Sequence, residues 1–226
     1  MAIRNLSCPV KSIEMKLQLI IPMSGIGKRF IDAGYQVPKF LIEVDGKSII
    51  EHVIDMYPGI ESPIFICNKD HLQNKTLNLR HKLLKIRPKS RIIPIDAHKK
   101  GPIFAVLKAM EFIDLDLPSI VNYCDFNCIW DFDSFKEHIK NTNCDGCVIT
   151  YRGFHPHMLH SSNYAYVKTQ DEQIIDIQEK KPFTNDPMNE NASSGAYFFK
   201  SGELMEKYFK KTIVKNLSIK GEFYVS

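Results

Sequence analysis

Short apolar runs alternate with longer amphipathic stretches along the first two thirds of the chain. Residues 17–22 are almost continuously apolar, which is typical of a strand buried on both faces. Further strands are predicted at 64–67, 92–95, 119–123 and 147–151. Helices are predicted between them, at 48–56, 70–85, 102–112 and 131–139, and Ser48 with Glu51 gives the first of these a capping-box pattern. This alternation predicts a layered, mostly parallel sheet flanked by helices.

The pattern changes after Arg152. Polar turns there join three predicted strands, at 164–169, 174–178 and 196–199, and a helix follows at 201–211. Strands joined without intervening helices predict an antiparallel extension of the sheet. The fold class expected is therefore α/β, Rossmann-like, with a mixed but mostly parallel sheet and an antiparallel extension.

Residues 1–14 contain Pro9, lack periodicity and differ in character from the rest of the chain. They are predicted to be an N-terminal extension, with an ordered N-terminal arm as the alternative. Residues 15–226 are predicted to form a single domain, divided into one half at 15–151 and another at 152–226.

Composition narrows the class of function. The chain has 226 residues, of which 44% are hydrophobic and 25% charged, so global disorder is not expected. A net charge of +4 is too small to indicate nucleic acid as a partner, but it suits an anionic small substrate. The sequence contains no apolar run of the roughly 18 residues that a membrane span needs and no visible secretory signal. Six cysteines do not imply a disulfide framework, so a cytoplasmic protein is expected.

The most informative segment comes directly after the first predicted strand, where the sequence is Ser-Gly-Ile-Gly-Lys-Arg at 24–29. Glycines at the end of a strand let backbone N–H groups approach a polyanion closely. Lys28, Arg29 and Lys39 add three cations nearby, and Arg can bind phosphate through two parallel hydrogen bonds. The P-loop spacing is absent, and Phe30 stands where the dinucleotide fingerprint needs its third glycine.

Three short motifs together resemble the nucleotidyltransferases that activate sugar phosphates, also called sugar-nucleotide pyrophosphorylases. The first is the Gly-x-Gly-x-Arg loop of Gly25, Gly27 and Arg29. The second is the pair Pro38-Lys39, and the third is the Gly-Lys-Ser sequence at 46–48 that precedes a predicted helix.

Further segments resemble the same family. Residues 101–107 resemble its glycine-containing helix start near the base and ribose, although a helix start with Pro at its first turn needs no ligand. Asp125, at the end of a predicted strand, resembles its magnesium-binding Asp. Residues 179–182 resemble its Glu-Lys-Pro motif, with Lys180 favoured over Lys181 as the phosphate-binding lysine. Residues 193–197 resemble its Asn-Ala-Gly-Ile-Tyr, but serines replace Asn and Ala, which puts those acceptor contacts in doubt.

The resemblance implies a role for each matching residue. Arg29 and Lys39 are expected to be catalytic, and Asp125 is expected to hold Mg²⁺. The family's second metal-binding Asp has no counterpart that we locate in this sequence. The other expected site residues are Met23, Ser24, Gly25, Gly27, Lys28, Gly101, Pro102 and Ala105 for the nucleotide, and Glu179, Lys180, Ser194 and Gly195 for the acceptor. The nucleotide-binding and acceptor-binding functions thus fall in the first and second halves of the domain.

The resemblance also implies the reaction, in which a nucleoside triphosphate donates its monophosphate to a phosphorylated small molecule and releases pyrophosphate. The Asp-Ala-Gly-Tyr sequence at 32–35 and the short chain are similar to members that use CTP to activate capsule precursors, including non-sugar phosphates such as phosphoglutamine. UTP or dTTP with a hexose 1-phosphate is the close alternative. Two others are a non-catalytic nucleotide-binding module and a glycosyltransferase using Asp131 and Asp133. A homo-oligomer is a further expectation, with neither nucleic acid nor a membrane as a partner.

Other candidate features have simpler interpretations. Four cysteines between 124 and 147 could bind zinc, but free thiols partly in the core are favoured. His155, His157 and His160 lie in one predicted loop without matching ligands, and the basic run at 82–91 lacks the aromatic residues of a nucleic-acid site. Trp130 is expected to pack in the core rather than on a ligand.

Overall fold

The computed structural model describes residues 15–155 and 162–226, and for Lys28 and Arg29 it describes the backbone only. The strands are β1 (Gln18–Met23), β2 (Glu43–Val44), β3 (Lys47–Ser48), β4 (Ile64–Asn68), β5 (Arg91–Ile95), β6 (Ser119–Asn122), β7 (Gly146–Tyr151), β8 (Ala165–Gln170), β9 (Gln173–Glu179) and β10 (Asn191–Phe199). The α-helices are α1 (Lys28–Asp32), α2 (Ile49–Asp55), α3 (Lys69–Gln73), α4 (Leu79–Ile86), α5 (Gly101–Leu107), α6 (Phe132–Thr142) and α7 (Gly202–Val214). Short 3₁₀ helices lie at Lys39–Leu41, Met110–Phe112 and Pro187–Asn189.

Eight strands form one mixed sheet in the order β5-β4-β1-β6-β10-β8-β9, with β7 also pairing β10. The pairs of β1 with β4, β1 with β6 and β4 with β5 are parallel. Strand β10 is antiparallel to β6, β7 and β8, and β9 is antiparallel to β8. The predicted Rossmann-like fold with an antiparallel extension is therefore confirmed. The two-stranded hairpin of β2 and β3 lies outside this sheet.

The sheet is the middle of three layers because its central strand is buried on both faces. All six residues of β1 are buried. Leu19 and Ile21 belong to a hydrophobic cluster with α2, α4 and α6, whereas Ile20 belongs to a second cluster with α5 and α7. Successive side chains of a strand point to opposite faces, so one apolar run supplies both cores.

Two predicted helices are shorter in the structure. The single helix expected at 70–85 is wrong, because the chain forms α3 and α4 with a turn between them. Asn74 Oδ1 accepts the backbone N–H groups of Thr76 and Leu77, at 2.9 and 3.2 Å, and this local bonding replaces the helical bonds. The helix expected at 102–112 ends at Leu107, and a 3₁₀ turn follows at Met110–Phe112.

The parallel strands end at one edge of the sheet, and their loops gather there. The loop after β1 covers residues 24–27, and the loop after the neighbouring β6 begins at Tyr123. The loop after β5 covers residues 96–100. In open α/β sheets ligands bind outside the carboxyl ends of the strands, so this edge is where a site is expected. No helix in the described part of the chain has the length and apolarity needed to cross a membrane.

Candidate active site

The loop at 24–27 connects β1 to α1 beyond the carboxyl end of β1. Gly27 has a φ of +67°, a left-handed conformation that favours glycine, and its carbonyl accepts the Phe30 N–H at 2.9 Å. A Cβ built on Gly25 or on Gly27 would meet no atom of the described residues within 4 Å. Met23 and Ser24, which precede the glycines, are both buried. The loop therefore has a fixed base and an uncovered glycine backbone.

Two of the predicted phosphate-binding residues begin the helix after this loop. Lys28 and Arg29 form the first turn of α1. Their side chains lie outside the described part of the structure, so their predicted roles stay predictions. The backbone alone puts both residues directly after the open glycine loop.

Lys39 and Asp125 form an ion pair although 86 residues separate them, with Lys39 Nζ 2.6 Å from Asp125 Oδ2. Lys39 begins a 3₁₀ helix whose next two residues, Phe40 and Leu41, are buried and fix its position. Asp125 comes after the buried Cys124, beyond the end of β6. The side chains of the pair are 28% and 35% exposed, so both groups are accessible to a ligand from solvent. Two residues that the resemblance assigns to catalysis and to metal binding are thus brought into direct contact.

The chemistry of Asp125 is compatible with Mg²⁺. This ion commonly keeps several water ligands and binds through one or two carboxylates together with substrate phosphates. Asp125 can supply one such carboxylate. Within 15–155 and 162–226, no group of three His, Cys, Asp or Glu side chains could hold a metal ion by itself. Asp125 would therefore hold such an ion together with ligands from outside any three-residue cluster, for which phosphate oxygens and water are suited.

Glu179 and Lys180 meet the segment at 222–226. The Lys180 ammonium donates to the Tyr224 hydroxyl and lies 4.1 Å from the centre of that ring. Glu179 accepts a hydrogen bond of 2.6 Å from the Ser226 hydroxyl. Burial raises the pKa of Glu179, and the Ser226 hydrogen bond and the charge of Lys180 oppose that rise. The two predicted acceptor-binding residues are therefore held together by the same short segment.

The two serines that replace the family's Asn and Ala are buried. Ser194 Oγ donates to the Ile149 carbonyl at 3.1 Å. Ser193 Oγ donates to the Tyr197 hydroxyl at 2.9 Å and accepts the Gly195 N–H at 3.0 Å. These bonds lie where the register of β10 shifts against β7. Both hydroxyls hence stabilise the bend of β10, and the backbone of Gly195 in turn accepts the Tyr123 N–H at 3.0 Å.

The helix start at Gly101 contacts the chain's own segment at 222–226. Phe223 N–H donates to the Lys100 carbonyl at 3.0 Å, and the Phe223 carbonyl accepts the Ile103 N–H at 3.2 Å. A Cβ on Gly101 would lie 2.6 Å from the Phe223 carbonyl oxygen. Pro102 occupies the first turn of α5, and Ala105 is buried in the second hydrophobic cluster. The nucleotide-binding roles predicted for Gly101, Pro102 and Ala105 stay predictions.

An aromatic cluster that the sequence motifs do not predict lies beside Asp125. Phe126, Tyr151, His155 and Tyr164 lie with ring centroids between 5.2 and 6.3 Å apart. Burial, together with the charge of Asp125, raises the pKa of Tyr164 to about 12. The cluster therefore lies within electrostatic range of Asp125. The aromatic residues were visible in the sequence, but their meeting depends on the pairing of β7 and β8 with β10.

The other sequence candidates have structural explanations. Burial raises the pKa of Cys124 to about 12 and that of Cys147 to about 11, so both are neutral thiols near pH 7. Trp130 donates its indole N–H to the Met56 carbonyl at 2.9 Å and packs edge-on against Tyr57, as expected of a core residue. His157 and His160 lie outside the described residues.

Comparison with known proteins identifies the family. The family model described as nucleotidyl transferase matches residues 19–221. The chain belongs to the nucleotidyl transferase family. This match includes the loop at 24–27, the Lys39–Asp125 pair and the segment at 179–182. A search of curated proteins finds no significant match.

Solved structures support the nucleotidyl transferase fold. A nucleoside-diphosphate-sugar pyrophosphorylase from Vibrio cholerae RC9 superposes with a TM-score of 0.68 at 22% identity, over 92% of this chain and 84% of that one. An inositol-1-phosphate CTP transferase from T. maritima gives 0.64 at 13% identity, over 85% and 72%. A UTP-bound UGPase from Acinetobacter baumannii gives 0.60 at 17% identity, over 85% and 76%. At these identities the likeness concerns the fold alone.

Proposed function

We propose that this nucleotidyl transferase moves a nucleoside monophosphate from a triphosphate to the phosphate of a small molecule and releases pyrophosphate. The observation that carries the proposal is that the glycine loop at 24–27 and the Lys39–Asp125 pair lie beyond the carboxyl ends of two neighbouring parallel strands, β1 and β6. A loop with open backbone groups can receive phosphate oxygens. A partly exposed pair of opposite charges can exchange partners with a phosphate and a metal ion.

The proposed reaction needs charge neutralisation more than it needs a base. A phosphate oxygen of the acceptor attacks the α-phosphorus, a new P–O bond forms, and the bond to the leaving pyrophosphate breaks. A phosphate monoester is already a nucleophile near neutral pH, so positioning and electrostatic stabilisation are the main contributions. Lys39 would contact the α-phosphate, and Lys28 and Arg29 would bind the leaving pyrophosphate. Mg²⁺, when bound at Asp125, would neutralise part of the triphosphate charge.

On the acceptor side, Lys180 would hold the incoming phosphate. Its ammonium is positioned by Tyr224, and Glu179 lies next to it in the chain. Gly195 and Ser194 would shape one wall of the acceptor site, because they lie at the bend of β10. The ammonium of Lys180 is a point charge that suits an acceptor phosphate.

We propose CTP as the donor and a capsule or other cell-surface precursor as the acceptor, in the cytoplasm. Support comes from the sequence at 32–35 and from the fold shared with a protein described as an inositol-1-phosphate CTP transferase. UTP or dTTP with a hexose 1-phosphate is the second candidate, favoured by the fold shared with a UTP-bound protein. A homo-oligomer is proposed as the working state.

The test is a matrix of triphosphates against phosphorylated metabolites, with pyrophosphate release measured with and without Mg²⁺. We expect one triphosphate to react, CTP first, and only with Mg²⁺ present. In the same assay Arg29→Ala should lower kcat/KM by roughly 10²–10³, as removal of other transition-state charge donors does. If no triphosphate gave pyrophosphate release, the proposed enzymatic activity would be contradicted and a nucleotide-binding module would be favoured. Undiminished turnover of the Arg29 variant would remove that residue from the mechanism.

A further inference from the structure

His98 connects the loop after β5 to the loop after β1. Its Nε2 lies 3.0 Å from Ser24 Oγ, and Ser24 is the buried residue on which the open glycine loop begins. Its Nδ1 lies 3.2 Å from the backbone nitrogen of Lys100, one residue before Gly101. One imidazole ring therefore bridges the loop proposed for the triphosphate and the segment that opens α5.

These two contacts determine which nitrogen of the His98 ring carries the proton. The Lys100 N–H can only donate, so Nδ1 must be the acceptor and carry no proton. In the neutral ring the proton is then on Nε2, which donates to Ser24 Oγ. Protonation of Nδ1 would place two donors face to face and break the bond to Lys100.

The surroundings favour the neutral ring. His98 packs edge-on against Phe104, with ring centroids 4.9 Å apart, and Lys100 Nζ lies 4.7 Å from the centre of the same Phe104 ring. Burial, and then the charge of Lys100, lowers the pKa of His98. The other charged groups of the cleft that His98 lines are Lys69, Asp96 and Lys108, and Lys69 is paired with Asp96 at 2.9 Å.

We propose that His98 is a positioning residue for the triphosphate loop: its neutral ring, anchored by the Lys100 N–H, holds Ser24 in place, and protonation removes that anchor and so loosens the hold on Ser24. The inference rests on the proposed function, because the loop it holds is the proposed triphosphate site. No contact between His98 and a ligand is required. The bond to Ser24 fixes where the glycine backbone begins, and the bond to Lys100 fixes the ring.

The test measures KM for the triphosphate and kcat as pH falls from about 7.5 to about 5.5 in the wild type, His98→Ala and His98→Gln. Loss of one hydrogen bond should raise KM of the Ala variant roughly three- to tenfold at neutral pH, with kcat little changed. Gln can donate from its amide to Ser24 but does not titrate. It should therefore keep a KM close to that of the wild type and lack the rise of KM that the wild type shows in acid.

A second pair of variants tests the electrostatics without altering the ring. Lys100→Ala should move the acidic rise of KM to higher pH, because the cation that opposes His98 protonation is gone. Lys99→Ala, an exposed neighbour, is the matched control and should leave the profile unchanged.

An unchanged KM in His98→Ala, or an acidic rise in His98→Gln equal to that of the wild type, would overturn this inference while leaving the proposed function intact. Failure of the wild type to bind or turn over any triphosphate would overturn both.

Discussion

The loop at Gly27 and the helix start at Gly101 both contain a glycine with positive φ, but the surroundings of the two glycines differ. Both glycines have positive φ, +67° and +81°, and both lie beyond the ends of parallel strands at the same edge of the sheet. A Cβ on Gly27 would meet no atom within 4 Å in the described part of the chain, whereas a Cβ on Gly101 would lie 2.6 Å from the Phe223 carbonyl oxygen. One glycine keeps its surface uncovered, and the other lets the chain's own segment approach.

This contrast shows that a glycine in a resembling motif does not by itself identify a ligand contact. At 24–27 the positive φ of Gly27 explains that glycine, whereas at Gly25 neither a positive φ nor a described atom within 4 Å of a built Cβ requires glycine. At 101 the contact with Phe223 is sufficient, because the two backbone hydrogen bonds at Lys100 and Ile103 need that close approach. The site therefore has an open side and a side closed by residues 222–226.

The largest stability effect is expected from Gly101→Ala. Strain at positive φ and overlap with the Phe223 backbone should together lower the free energy of unfolding by about 2–4 kcal/mol. Gly59→Ala is the matched control, since Gly59 has a φ of +83° and no atom within 4 Å of its Cβ, and it should lose only about 1 kcal/mol. Urea unfolding followed by fluorescence of the single tryptophan, Trp130, measures both. Equal losses in the two variants would mean that Phe223 does not cover Gly101.

A smaller, pH-dependent effect is expected from Glu179→Gln on the closed side. Burial raises the folded-state pKa of Glu179, so the protonated form stabilises the fold below the unfolded-state pKa, and this contribution is lost as pH rises through the folded-state pKa. Gln keeps an acceptor for Ser226 and does not ionise. The stability of the variant relative to the wild type should therefore increase from acidic to neutral pH, measured by urea unfolding across pH. A constant difference at every pH would show that Glu179 does not titrate in a buried setting.

The sequence predicted the central sheet well because buried parallel strands are continuous apolar runs. The predicted bounds of β1, β4 and β5 lie within one residue of those observed. The prediction of one helix at 70–85 was wrong because the Asn74 side chain accepts backbone N–H groups that a continuous helix would use. Apolar periodicity in the sequence does not reveal this local competition.

The candidate site was predictable only where its residues are local. The loop at 24–27 could be recognised from its two glycines together with Arg29 and the downstream pair Pro38-Lys39. The contact of Lys39 with Asp125 spans 86 residues, and the covering of Gly101 by Phe223 spans more than a hundred, so both depend on the assembled sheet. His98 belongs to none of the sequence motifs. Its contact with Ser24 arises because β5 and β1 end at the same edge of the sheet.

The most direct test of the open glycine loop is calorimetric titration of CTP, UTP and dTTP, each with Mg²⁺, into the wild type and Gly25→Val. Gly25 lacks a positive φ, and no atom in 15–155 or 162–226 whose position is described lies within 4 Å of its Cβ, so the variant should keep its free energy of unfolding within about 0.5 kcal/mol. We expect the wild type to bind a triphosphate and Gly25→Val to bind it roughly tenfold more weakly, since a side chain would separate the backbone from phosphate. Equal affinity in the two proteins, or no binding of any triphosphate to the wild type, would contradict it.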